Sequence, residues 1–100
     1  MPWLYGLLAQ YQATHPTVSL VQMLNGDAPG GEDATAALYA TSGLIVDSVF
    51  RESGIAGLRR FAQVRGSPDD IVKVLPEHIH GTGGNVDRWW RSETQRALGR

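Results

Sequence analysis

Apolar residues recur at helical spacing from the start of the chain. Trp3, Leu7 and Gln10 fall on one side of a helix over 2–13, and Leu4, Leu8 and Tyr11 fall on the adjacent side. This is the 3.6-residue period of a half-buried helix. Pro2 suits a first-turn position. His15-Pro16 breaks the pattern, because the residue before a proline is pushed out of the helical region. Thr17 is placed to cap a short helix over 18–24, and the Gly- and Pro-containing run 25–31 is a loop. The longest pattern covers 34–53, with Asp33 as its cap or first-turn acid. Leu38, Ser42, Ile45 and Val49 share one face, and Tyr39, Gly43, Val46 and Phe50 share the next. A stripe this wide predicts a central, largely buried helix. Gly43 within it predicts close approach by another helix, where a Leu would overpack at a cost of about 1–3 kcal/mol.

Gly54 is a helix stop. A fourth helix is expected over 55–64, with Leu58, Phe61 and Ala62 inward and Arg59 and Arg60 outward. Ser67-Pro68-Asp69-Asp70 is a strong helix start: a Ser cap, Pro at the first position and acids at the positive end. Ile71, Val72, Val74 and Leu75 supply that helix's apolar face, and Pro76 ends or kinks it. Asn85 caps a last helix over 86–98. No segment alternates as a strand does. The fold class is therefore all-α, a compact bundle of five to six helices around 34–53, forming one domain over 1–100.

Composition narrows function more than it names one. Nine Lys and Arg against ten Asp and Glu leave a net charge of −1. With no basic stripe to neutralise phosphates, nucleic acid is not an expected partner. The chain has no cysteine, which excludes a disulfide framework and thiolate chemistry. No apolar run approaches the ~20 residues of a membrane span, and the opening residues lack the basic flank and cleavage site of a signal peptide.

Candidate chemistry is sparse. His78-x-His80 could hold a metal, but spacing fixes no third ligand beside it, so loop histidines are the simpler reading. His15 reads as solvated. Gly81-Thr82-Gly83-Gly84 precedes a helix, yet it lacks the Gly-Lys-Ser/Thr of a phosphate loop and reads as a flexible connection. Glu32, Asp33, Asp69 and Asp70 read as helix-start charges. Asp47/Arg51 and Asp87/Arg91 read as surface pairs worth tenths of a kcal/mol. Of the adjacent tryptophans Trp89 and Trp90, one is expected in the core and the other at an exposed or interfacial position.

Several short motifs fall in an order that resembles zinc metallopeptidases of the gluzincin group, the peptidase MA-like type. Pro2-Trp3-Leu4-x-x-x-Leu8-Ala9-x-Tyr11 is similar to that family's Pro-x-Trp-Leu-x-Glu-Gly-Leu-Ala-x-Tyr segment, which lies downstream of the His-Glu-x-x-His helix. Val18-Ser19-Leu20-x-x-Met23-Leu24 looks like the short helix that follows. Tyr39-Ala40-x-Ser42 through Phe50, then Glu52-Ser53-Gly54-x-x-Gly57-Leu58, looks like the long helix and its glycine stop. Asp87-x-x-Trp90-Arg91 looks like the terminal helix with its buried Trp. The resemblance covers nearly the whole chain, and it implies the C-terminal helical subdomain of such a peptidase.

The departures decide what it implies for function. The family's Glu zinc ligand falls on Gly6, and the Gly after it falls on Leu7. The two-histidine motif and its Glu base do not occur in the sequence. A catalytic zinc needs three protein ligands and an open position. The expectation is a non-catalytic module with a scaffolding or interaction role, using no cofactor. The competing expectation is a fragment of an active peptidase that lines the cleft while another segment supplies the zinc. In the family the first helix packs on the zinc-binding helix and its sheet. Without those elements, Trp3, Leu4, Leu7, Leu8 and Tyr11, with Trp89, are the expected interaction surface. Its partner would be a second copy in a homodimer, or an N-terminal catalytic segment.

Overall fold

The computed structural model describes residues 2–99. The fold is all-α, as the periodicity predicts: α1 (Pro2–Thr14), α2 (Leu20–Leu24), α3 (Glu32–Ala62), α4 (Pro68–His78) and α5 (Val86–Leu98), with one 3-10 turn at His80–Thr82 between α4 and α5. No strand occurs among the described residues. α3 touches all four other helices, and α1 is its most extensive neighbour. The core gathers around it: Leu8 and Tyr11 of α1, Leu20 and Met23 of α2, Leu44 and Val49 of α3, Leu75 of α4 and Trp90 of α5 are buried together. The radius of gyration is 12.7 Å, close to the ~13 Å expected of a 100-residue domain, so no helix stands away from the rest.

The two helices expected on either side of Gly54 join end to end. Gly54 has φ 64° and ψ −160°, a backbone region open essentially to glycine alone. It breaks the helical run without a connecting loop, so α3 is two helical arms meeting at one kink. Ala62, expected inward, is exposed at the end of the second arm, while Leu58 and Phe61 are half-buried.

Capping follows residue chemistry closely. The Ser67 hydroxyl accepts from the Asp70 N–H, and the Asp70 carboxylate accepts from the Ser67 N–H. The Ser67 N–H and, beside it, the Ser67 hydroxyl donate to the Asp70 carboxylate and hold it below the ordinary carboxylate range, since hydrogen bonds to the charged form favour it. The Asn85 side chain accepts from the Arg88 N–H and starts α5. Ser19, not Thr17, caps α2, accepting from the Gln22 N–H. Pro76 does not end α4, which continues to His78.

The C-terminal helix clasps the N-terminal segments. The Arg91 guanidinium donates to the carbonyls of Gln12 (3.3 Å), Pro16 (2.9 Å) and Val18 (2.8 Å). One turn earlier, Asp87 accepts the Leu20 N–H at 2.8 Å. The expected Asp87/Arg91 surface pair is thus replaced by two side chains that each bond backbone. Buried polar contacts continue the clasp. The Gln12 amide donates to the Thr94 hydroxyl, Thr94 donates to the Trp90 carbonyl, and the Trp90 indole N–H donates to Thr41 at 3.1 Å.

Candidate interaction surface

The second apolar stripe of α3 does not enter the core. The buried positions of the long arm, among them Ala37, Leu44, Ile45, Ser48 and Val49, occupy one side of the helix. Tyr39, Gly43, Val46 and Phe50 project on the opposite side, and Tyr39 is 68% exposed, Phe50 46% and Val46 45%. Two faces of one helix are therefore apolar while only one is covered. An ordinary surface helix carries its charges on the outer face; here 34–46 contains no charged residue at all.

α1 extends this face. Leu7 and Ala36 line one shallow cavity of about 170 Å³ with Gln10, Tyr11, Thr14 and Asp33, so α1 runs back along the first half of α3. The two apolar rows of α1 part company there. Leu8 and Tyr11 are buried and Leu4 is half-buried, while Trp3 is 64% exposed and Leu7 41%. Of the expected surface residues, Trp3 and Leu7 lie on it, and Leu8 and Tyr11 belong to the core. Tyr11 donates its hydroxyl to the Pro29 carbonyl, and burial pushes its phenol above the ordinary value. His15, read as solvated, stacks on the Tyr11 ring at 4.2 Å between centroids.

Trp89 also departs from expectation. It is buried like Trp90, because the ordered 3-10 turn covers it; a side chain at Gly81 would meet its indole ring at 3.5 Å. The expectation of an exposed Trp89 rests on helix geometry, in which adjacent positions point about 100° apart and usually only one of them faces the core.

Gly43 has no helix against it. A β-carbon built there meets nothing within 4 Å, and Gly43 is exposed. The expected overpacking by Leu is overturned, since the space is open. A mid-helix glycine still costs about 1 kcal/mol relative to Ala. Gly6, on the outer side of α1, is equally unobstructed.

On the other flank, Val46 also borders a groove of about 270 Å³ between α2, the two arms of α3 and α4, lined by Leu24, Leu38, Phe61 and Ile71 among others. The apolar surface therefore passes from α1 across the outer face of α3 to this groove.

Among the described residues, the titratable groups stand in separate small contacts. His78 stands edge-on to Phe61 at 5.2 Å. The His80 N–H donates to both oxygens of Glu52, at 2.9 and 3.0 Å, and its Nδ1 lies 3.1 Å from that carboxylate. The two histidines thus have separate partners, and no group of three or more metal-ligating side chains occurs among the described residues. Ser48, Glu52 and Glu93 border a further cavity between α3 and α5. The buried Ser48 hydroxyl has no hydrogen-bond partner there, so it lacks the contact with a base that activates a nucleophile. Asp47 and Arg51 form the expected pair at 2.9 Å at the edge of the apolar face.

No family model, curated protein or solved structure matches the chain. No helix among the described residues is long and apolar enough to cross a membrane.

Proposed function

We propose that this chain is a non-catalytic helical interaction module, docking a protein partner on the face made by Trp3 and Leu7 of α1 and by Tyr39, Val46 and Phe50 of α3. The observation that carries this reading is the uncharged stretch 34–46 of the longest helix, whose outer side is apolar and uncovered. Apolar patches beyond a few hundred Å² mark interaction sites on folded proteins, and aromatic side chains are enriched at the centres of such contacts. The peptidase-like origin implied by the sequence resemblance is part of this proposal, and the elements it concerns are these. A short helix follows the first, a glycine breaks the long one at position 54, and a terminal helix buries Trp90. Gly6 stands where that family has its zinc-ligating Glu, consistent with a module that scaffolds and does not hydrolyse.

Photo-crosslinking tests the reading. A benzophenone amino acid at position 50 should give a discrete protein adduct in the producing cells, whereas one at the exposed position 59 should not. Equal yields at both positions, or none at position 50, would refute docking on this face. A stoichiometric zinc that survives dialysis and is lost on changing His78 and His80 would overturn the expectation of no bound metal and favour a metal-binding regulator built on those two residues.

A further inference from the structure

We infer that the partner on this face is a second copy of the chain, paired antiparallel about a two-fold axis beside Gly43. The inference rests on the docking face proposed above and names its occupant. Most of the chain's glycines have intrachain reasons. Seven have positive φ; Gly57 lies against Ser53, Gly81 against Trp89, and Gly99 caps α5. Gly6 and Gly43 have no such reason, and both lie on outward sides of the helices that build the apolar face. A glycine on an uncovered helix face allows another backbone to approach closely. Among the described residues, no other element comes within 4 Å of a β-carbon built at Gly43.

The face is self-complementary under a two-fold operation. In an antiparallel pair centred on Gly43, position 50 of one α3 lies level with position 36 of the other, because both are seven residues from the centre. Phe50, a projecting ring, then meets the small Ala36 and the shallow cavity beside Leu7. The same contact repeats on the other side of the axis, as an isologous interface requires. Opposed helix dipoles favour the antiparallel direction. The uncharged run 34–46 places no like charges against each other, and Asp47 and Arg51 at its edge already pair.

The area is of the right size. Large aromatic side chains present ~150–250 Å² each. At the exposures given above, Trp3, Tyr39 and Phe50 with Leu7 and Val46 present roughly 500 Å² of side chain per copy. Two copies reach the ~1,000 Å² that a specific interface must clear, before any polar rim is added.

Sedimentation equilibrium from 1 to 200 µM, with the full chain, tests the pairing. The wild type should approach the dimer mass within this range. Gly43→Leu inserts a side chain where the monomer has open space, so its thermal melt at low concentration should not fall, while its dimer dissociation constant should rise at least tenfold. Phe50→Lys should do the same. Trp3 is the exposed tryptophan, so the acrylamide-quenchable fraction of fluorescence should fall as wild-type protein associates. A wild type that stays monomeric throughout overturns the inference. So does a dimer unmoved by both substitutions, which would have to form elsewhere. A monomer whose position 50 crosslinks to a different protein overturns this pairing alone and leaves the docking face standing; a monomer without adducts removes both.

Discussion

Arg91 is the side chain whose loss should be felt furthest from its own position. Replacing it with Met keeps most of the aliphatic stem and removes every guanidinium hydrogen bond. Three carbonyls then lose a charged donor: Gln12 near the end of α1, and Pro16 and Val18 in the connection to α2. A hydrogen bond to a charged group contributes about 1.5–3 kcal/mol. The three do not add fully. Pro16 is exposed and its carbonyl can turn to water, and the Gln12 contact is the longest, while Val18 is buried. Arg91→Met should therefore destabilise the fold by about 2–4 kcal/mol. At ~4–8 °C per kcal/mol for a domain of this size, the melting temperature should fall by at least 8 °C. Urea unfolding followed by circular dichroism measures the first quantity and calorimetry the second. The charge-swapped variant Asp87→Arg with Arg91→Asp separates a backbone clasp from a surface pair. A pair on the surface tolerates the exchange within a few tenths of a kcal/mol. The clasp does not, because a carboxylate cannot donate to carbonyls and a guanidinium cannot accept the Leu20 N–H. A loss under 0.5 kcal/mol for Arg91→Met, or a swapped variant as stable as wild type, would refute this account.

Three further outcomes are expected. Thr41→Val leaves the buried Trp90 indole N–H without an acceptor and should cost about 1–3 kcal/mol; a double-mutant cycle with Trp90→Phe, read by urea unfolding, should show coupling near 1 kcal/mol, and additive losses would contradict it. Gly54→Ala should cost about 1–3 kcal/mol through backbone strain alone, since its β-carbon meets no neighbour; a calorimetric melt unchanged from wild type would show that α3 straightens without penalty. Burial raises the Tyr11 pKa, so the stabilising difference is intact below the unfolded value of about 10 and is lost as pH climbs through the folded value; chemical unfolding at stepped alkaline pH should show this loss, and Tyr11→Phe should flatten it.

Local chemistry made most of the fold legible. Ser67 with Asp70, Asn85 and Gly54 each announce a helix boundary by properties that act within a few residues, and the boundaries fall there. What the sequence hid was the identity of the neighbour. Tyr39, Val46 and Phe50 have the spacing of a core stripe, and periodicity reports that a face is apolar without reporting what lies across it. Arg91 and Asp87 have the spacing of an ion pair, yet both bond backbone 67 to 79 residues away. Trp89 is covered by a turn whose glycines suggest mobility. The candidate surface is half legible: the pattern of α1 points to Trp3 and Leu7, while the larger contribution from α3 has the pattern of core.

The clasp also sets an order of events during synthesis. Its partners lie in the first fifth and the last sixth of the chain, and translation proceeds at about 5–20 residues per second. For roughly 4–15 seconds after Gln12 and Leu20 are made, Arg91 and Asp87 do not yet exist. Through that interval the end of α1 and the start of α2 have only water or the ribosome for company, and the apolar row of Leu4, Leu8 and Tyr11 waits with them. The domain is closed from its last helix, so a nascent chain interrupted before α5 would retain helical segments with no means of fastening them.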